Sequence, residues 1–530
     1  MTRKGRWTRL NKLESNNELS TSVSKRTPIF LQKQKICYNV YVRRLIISKL
    51  FLYRYRFIIG YILLGLAFIS LVCIMPIFSP SGLSEAERES ISISYNLHFS
   101  SITSGDLVNL PYHVLQKVSV LLFGFNSYAI KLPSILIGLL LGFLLILLLN
   151  RWFKNNVALL ASILTVLSTP FLYLAGSGTP TIMLVFWPTL LLWLGSKIQG
   201  EKSPNPIICY IFALSLLFAI YTPHLIYLII FIFIFTIWNP HLRYTLKTLP
   251  KIPILIIGVI FLAGVAIWGI NIISSNSVAA SLFAAKDYHF SSFFPNIKLG
   301  FAPFFSWVDP IEGVYLSPMI GLASFTLALA GLFSTAKGFF ASRNALASCF
   351  IVFSVVLSGF SPDSALLIIL PFAILTAHGL RYLLEKWYNL FPENPYARIF
   401  AIFPLGILLL TMTLPALNHY AFGYRYTPAV ANEFENDLSL IEENLTSETF
   451  LLLKEKTLDD YFYRVYEDRE HKITVINDLD TLKNQVGKNV ATLGKPETPL
   501  PSDYNLIRII TSPKSNNSDR IYIYKYAKNS

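Results

Sequence analysis

The sequence predicts an α-helical polytopic membrane protein with about eleven transmembrane helices, outer juxtamembrane helices and a small C-terminal α/β domain. Three observations carry this. Of 530 residues, 53% are hydrophobic and only 14% charged, against roughly 25% charged in a soluble globular protein. Apolar runs long enough to cross a bilayer recur along the chain. The net charge of +15 is unevenly placed: residues 1–56 hold 14 Lys/Arg and two acids, whereas residues 421–530 hold 14 Lys/Arg and 17 acids. This pattern excludes an ordinary soluble enzyme, a disordered chain and a coiled coil.

Taken in order, the basic segment 1–56 precedes the first apolar run and reads as cytoplasmic by the positive-inside rule. It carries no nucleic-acid-binding motif; anionic lipid headgroups are its expected contact. Residues 57–79 form the first expected span, too far from Met1 for a cleavable signal peptide. Further spans are expected near 132–150, 156–175, 179–197, 206–222, 224–239, 252–274, 316–335, 344–361, 364–384 and 398–420. Several approach the lower limit of ~17 residues, which allows tilt or re-entrance. Thr222-Pro223-His224 reads as a tight turn or a kink, because proline cannot donate to a helix ladder.

The loop charges agree with this topology. Arg151, Lys154, Lys197, Lys202, Arg243, Lys247, Lys251, Lys337, Arg343, Arg381, Lys386 and Arg398 all fall in the loops expected inside. The long outer segments are 80–131 and 275–315, and an odd span count puts 421–530 outside the cytoplasm. Cys37, Cys73, Cys209 and Cys349 all lie in segments not placed outside, so no disulfide framework is expected. In the C-terminal segment, 433–445 reads as a helix, with Phe434, Leu438, Ile441 and Leu445 on one face. Residues 450–453, 473–476, 506–510 and 521–526 read as strands, and 458–466 and 479–486 as short helices.

Acids are scarce, so their positions are informative. Between Leu107 and Lys286 the one acid is Glu201, in an inner loop. The densest outer group is Ser84-Glu85-Ala86-Glu87-Arg88-Glu89, just past the first span. On a helix Glu85 and Glu89 share a face, and Ser84 with Glu87 matches a capping box. Against a helix, Ile91, Ile93, Tyr95 and Leu97 alternate as in a strand.

Several stretches together resemble a known family. Gly82-Leu83-Ser84-Glu85-Ala86-Glu87 is followed by Leu110-Pro111-Tyr112, then Leu122-Phe123-Gly124-Phe125-Asn126, then Lys131-Leu132-Pro133-Ser134 and Gly138. Leu370-Pro371 and His378-Gly379-Leu380 come late in the chain. This order resembles the family 39 glycosyltransferases, the protein mannosyltransferases and aminoarabinose transferases, which share the GT-C membrane fold. The resemblance is to a divergent member. The family's Asp-Glu pair has lost its Asp, replaced by Ser84 or Ala86 according to the alignment, and Lys131 stands where Arg is usual. The hairpin Gly176-Ser177-Gly178-Thr179 also lacks the Arg and Asp often found there.

The resemblance implies transfer of a sugar from a polyprenyl-phosphate donor to an acceptor hydroxyl on a glycan, lipid or protein, on the extracytoplasmic side. A carboxylate takes the acceptor's proton and cations stabilise the departing phosphate. It also implies that Glu85 or Glu87 is catalytic, with Glu85 favoured because Glu87 serves the cap. Lys117, Lys131, Lys286 and Lys298 are phosphate candidates, although Lys131 fits a snorkelling interfacial lysine better. Asp106, Asp287, His289 and Asp309 are substrate-binding candidates, with Glu312 and Trp307 beside the last. The Asp287-Tyr288-His289 group could orient acceptor or a divalent metal, but such a neighbour pair is more often plain loop; no zinc, phosphate-loop or dinucleotide signature is present, and no cofactor is expected. Two rival readings are a transporter or flippase and a non-catalytic protein on the same fold. The near absence of ionisable residues within the expected spans argues against proton- or ion-coupled transport.

Overall fold

A computed structural model describes residues 51–527, apart from 80–81, 98–106, 201–204, 249–250, 274–275, 284–289, 307–314, 340, 391–399, 401, 432, 446–448, 479–487, 497–498 and 513–518. Met1–Gly60 and Tyr61–Ser530 are separate compact units, and every element after the first helix lies in the second.

The first helix, α1 (Phe51–Phe78), is followed by two amphipathic helices, α2 (Glu85–Asn96) and α3 (Leu110–Phe123). α4 (Ser127–Trp152) is a continuous apolar helix whose N-terminus is capped by the Asn126 side chain accepting from Ala129 N–H. α5 (Asn155–Val166) and α6 (Thr169–Gly176) form one apolar stretch bent by 59°. The cause is Pro170, which lacks an N–H and whose ring would meet the carbonyl of Val166 in a continuous helix. Next come α7 (Met183–Gly200), α8 (Pro206–Ala219) and α9 (Leu225–Trp238). α8 and α9 are joined by a turn in which His224 is left-handed, φ 68°. α10 (Pro240–Thr248), α11 (Lys251–Ile273), α12 (Asn276–Leu282) and α13 (Phe293–Phe305) follow. The apolar set ends with α14 (Leu322–Lys337), α15 (Ser342–Ser358), α16 (Ile369–Leu390) and α17 (Ile402–Asn418).

Each expected span overlaps helix, but the one expected from 316 is helical only from Leu322 and the one at 156–175 is broken at the bend. Among the described residues, five helical stretches are long and apolar enough to cross a membrane, six if the bent pair counts as one, and five further apolar helices run 10–17 residues. α4 sits at the centre, packed on α3, α5, α6 and α7 through Ile135, Leu141, Leu144, Leu145 and Leu148. α14 and α16 touch backbone to backbone. A Cβ on Gly331 would lie 1.9 Å from the Leu375 carbonyl oxygen, and one on Gly379 would lie 2.1 Å from that of Leu327. Small residues at such a crossing let two apolar helices approach closely.

The loops gather into two sets. On one side, Arg151 bonds the Ser196 carbonyl, Arg343 the Trp152 carbonyl and Ser342 the Asn239 side chain. These are the basic loops. On the other side, Asn109 N–H bonds the Tyr221 carbonyl, His224 N–H that of Leu282, and Ser79 that of Tyr420. The C-terminal segment lies on this second side.

That segment folds as a mixed five-stranded sheet in the order β2-β1-β3-β5-β4: β1 Thr449–Leu452, β2 Thr474–Ile476, β3 Asn489–Leu493, β4 Tyr504–Thr511 and β5 Asp519–Tyr526. β1 is parallel to β2 and β3, while β5 is antiparallel to β3 and β4. α18 (Asp437–Asn444) and α19 (Leu458–Glu470) complete it. Two sequence expectations are corrected here. β3 was not expected, yet it is the central strand. The helix expected from 433 starts instead at Asp437, because Leu83 and Glu435 exchange backbone hydrogen bonds of 2.8 and 3.0 Å and keep Glu435 out of the helical ladder. The expected helix 479–486 lies outside the described residues.

Candidate active site

α2 is built by its first turn. Ser84 N–H donates to Glu87 Oε2 at 2.8 Å, and Ser84 Oγ accepts from Glu87 N–H at 3.3 Å, a complete capping box. The helix then continues to Asn96, so the alternation of Ile91, Ile93, Tyr95 and Leu97 is not a strand. Glu87, Ser90, Ile91 and Ser94 form its buried face, while Glu85 and Glu89 share the exposed one.

Glu87 is fully buried and its second oxygen is also committed: Oε1 accepts from Gly178 N–H at 2.5 Å and lies 3.9 Å from Lys131 Nζ. It thus joins the start of α2, the hairpin after α6 and the start of α4. Lys131 is buried beside it rather than snorkelling, and lines neither of the spaces described below. Lys117 donates from Nζ to the Tyr95 and Leu97 carbonyls, putting a cation on the C-terminal end of α2. Burial pulls the Lys117 ammonium below its ordinary range. Lys298 is exposed on α13. Asp106, Asp287, His289, Asp309, Lys286, Trp307 and Glu312 lie outside the described residues.

A residue that sequence reasoning missed ties these parts together. Gln116 on α3 accepts from Ser90 and Ser94 at 2.9 and 2.6 Å, and donates to the carbonyls of Ile130 and Gly178 at 3.1 and 3.0 Å. His113 Nδ1 lies 2.7 Å from Ser94 Oγ, and Tyr112 shares a 2.8 Å hydrogen bond with Ser134. Burial raises the Tyr112 phenol far above its usual range, so it stays a neutral partner. A glutamine amid serines has no sequence signature; only the approach of three elements gives it four partners.

Two spaces flank α2. One is a cavity of about 300 Å³ among the loops at the ends of the spans, lined by Ser84, Ala86, Glu89, Ser90, His113, Tyr173, Thr179, Thr181 and Tyr315, among others. The Tyr173 ring packs edge-on against Tyr315 and is stacked 4.9 Å from Tyr424. The other is an open cleft of about 690 Å³ between α2 and α19, lined by Glu85, Glu89, Ser92, Ile93, Asn96, Leu458 and Tyr461. No Lys or Arg lines either space among the described residues. Glu85 and Glu89 have no side-chain ion pair or hydrogen bond among the described residues, unlike Glu87. No group of three or more His, Cys, Asp or Glu side chains there is placed to hold a metal ion.

The C-terminal domain clasps α2 and α3. Arg88 pairs with Glu435 at 3.0 Å and with Asp459. Phe125 N–H donates to Glu470, Arg469 donates to the Leu121 carbonyl, and the Phe125 ring packs on Phe462 and Tyr466.

A polytopic helical bundle with a C-terminal mixed sheet and a carboxylate-bearing helix after its first span is the class that fold and site define. Residues 111–268 match the family model described as dolichyl-phosphate-mannose-protein mannosyltransferase, in line with the mannosyltransferase part of the resemblance. Among solved structures, ArnT from Cupriavidus metallidurans bound to undecaprenyl phosphate is similar at 15% identity and TM-score 0.47, covering 88% of this chain and 98% of that one. AglB, the oligosaccharyltransferase of Archaeoglobus fulgidus, in complex with an inhibitory peptide and a dolichol-phosphate, is similar at 12% identity and TM-score 0.48, covering 91% and 75%. A comparison with curated proteins finds no match.

Proposed function

We propose that this protein is a membrane glycosyltransferase that moves a sugar from a polyprenyl phosphate to an acceptor hydroxyl on the side bearing the C-terminal domain. One observation carries the reading: the helix directly after the first span, where the resembling enzymes keep their acidic pair, places Glu89 on a cavity walled by hydroxyls and tyrosines and Glu85 with Glu89 on the adjoining cleft. The mannosyltransferase-model match over 111–268 supports it. So does an apolar cavity of about 450 Å³ between the α5–α6 bend, the start of α14 and the end of α17, which suits an isoprenoid chain.

In this reading the acceptor oxygen attacks the anomeric carbon, the carbon–oxygen bond to phosphate breaks with its electron pair, and a carboxylate takes the hydroxyl proton. Glu85 is the open member of the sequence-assigned pair and can meet substrate. Glu87 keeps the loop that carries it in place. Asp106, Asp287, His289 and Asp309 remain proposed substrate contacts. Lys117 and Lys131 would act on phosphate only by leaving their present partners. The reaction is proposed to need no cofactor, the N-terminus to be cytoplasmic, and the acceptor to approach from the extracytoplasmic side.

The test is reconstitution of the full chain in liposomes with radiolabelled sugars on undecaprenyl phosphate, followed by extraction of labelled acceptor with and without EDTA. Transfer that persists in EDTA is expected. Vesicles that move a solute across the membrane but never transfer sugar would instead indicate the transporter reading.

A further inference from the structure

The cavity and the cleft share two residues, Glu89 and Ile93, one helical turn apart on α2. Among the described residues, this wall is the one place where a single side chain borders both spaces. A group-transfer enzyme needs such a place, because the donor's anomeric carbon and the acceptor's hydroxyl must meet within about 3–3.5 Å of each other. Glu89 lies outside the acidic pair that the sequence pattern marks.

We propose that the cleft between α2 and α19 is the acceptor subsite, that it takes a neutral or cationic polyhydroxylated acceptor, and that Glu89 is the base that takes its proton. The inference rests on the glycosyltransferase reading above. Its chemistry comes from the lining. Tyr461 projects from α19 with half its surface exposed (51%), offering an aromatic face to a sugar ring. Ser92 and Asn96 add a hydroxyl and an amide, and Glu85 adds a carboxylate that accepts from sugar hydroxyls. Two carboxylates face the cleft with no lining Lys or Arg among the described residues, so a phosphorylated acceptor would be repelled. The nearest cation on α2, Arg88, is engaged by Glu435 and Asp459. The same engagement holds α19, and hence Tyr461, against α2.

The step balances. The acceptor O–H proton passes to the Glu89 carboxylate as the oxygen–carbon bond forms. The bond from the anomeric carbon to the phosphate oxygen breaks, and its electron pair leaves with the polyprenyl phosphate. One displacement inverts the anomeric configuration.

The experiment uses the full chain in nanodiscs, undecaprenyl-phosphate-linked mannose and glucose as donors, and neutral, amino-substituted and phosphorylated oligosaccharides and a serine-rich peptide as acceptors. Undecaprenyl phosphate binding is measured separately by the shift it causes in the thermal transition. Glu89→Gln is expected to bind undecaprenyl phosphate like wild type and to lose ~10²–10⁴-fold in kcat, with Glu89→Asp recovering part. Tyr461→Ala is expected to raise the KM for a neutral oligosaccharide at least tenfold and leave lipid binding unchanged. Full turnover by Glu89→Gln overturns the assignment, as does preference for the phosphorylated acceptor. Transfer to the peptide alone overturns the acceptor class. A wild-type protein that neither binds the lipid nor transfers sugar removes the glycosyltransferase reading and this inference with it. If Glu89→Gln fails to accumulate, Glu89→Asp and Tyr461→Ala decide the matter.

Discussion

Glu87 and its neighbours Glu85 and Glu89 show how one residue type takes opposite roles on two faces of one helix. Glu87 has both oxygens bonded within the protein and a lysine at 3.9 Å, whereas Glu85 and Glu89 face open space. Breaking one side of a buried pair leaves an uncompensated charge and costs about 3–5 kcal/mol. Lys131→Met is therefore expected to lower the thermal transition and membrane yield sharply. Adding Glu87→Gln to it should restore part of the loss, and a double-mutant cycle of melting temperatures measures the coupling. Strict additivity would show that the two do not act as a pair. Gly82 is a second residue-scale case. Its φ is +98°, and a Cβ there would lie 2.4 Å from the Glu435 carbonyl oxygen. Gly82→Ala is expected to cost about 1–3 kcal/mol by strain and clash, read as a lower melting temperature with donor binding retained in the folded fraction.

Among elements, the contact of α2 and α3 with α19 decides whether the cleft exists. Arg88, 11% exposed, bridges Glu435 and Asp459 across it. Burial raises the Glu435 carboxyl above its ordinary range, with Asp437 and Asp459 adding to the rise and Arg88 and Arg520 opposing it. Arg88→Met should loosen α19 from α2, seen as faster proteolysis within the C-terminal domain and a raised acceptor KM, with lipid binding intact. Unchanged proteolysis and KM would mean that the Phe125–Phe462–Tyr466 packing suffices alone. Within α19, burial alone would raise the Asp460 carboxyl, but hydrogen bonds from Asn477, Lys456 N–H and Arg464 outweigh it and hold it below the usual range. A depressed carboxylate stabilises the fold above its unfolded value and loses that contribution as pH falls through the lower, folded one. The C-terminal domain is therefore expected to become protease-sensitive as pH drops below about 4. Asp460→Asn should be less stable at neutral pH and should lack that acid-dependent loss.

At the scale of the whole molecule, the basic loops collect on one side and the C-terminal domain on the other. The positive-inside rule then predicts that a reporter fused after Tyr526 is extracytoplasmic, while one inserted beside Lys337 is cytoplasmic. Protease protection in sealed vesicles checks both, and a protected C-terminal reporter would reverse the proposed topology.

The sequence by itself determined what depends on local composition and period. Apolar runs marked the helices because a bilayer-crossing segment must be apolar along its length whatever its neighbours are. Ser84 and Glu87 marked the start of α2 because a capping box closes within four residues. Tertiary structure decided the rest. β3, with the modest sequence Asn-Val-Ala-Thr-Leu, is a strand because β1 and β5 pair on either side of it. Phe434 and Glu435 left the helical pattern because Leu83 offered backbone partners. Which carboxylate faces a cavity, and whether Lys131 reaches lipid or Glu87, depends on contacts between residues tens to hundreds of positions apart. Local periodicity carries no record of such pairings, because they arise only when the helices pack and the C-terminal domain returns to the loop where the first span ends.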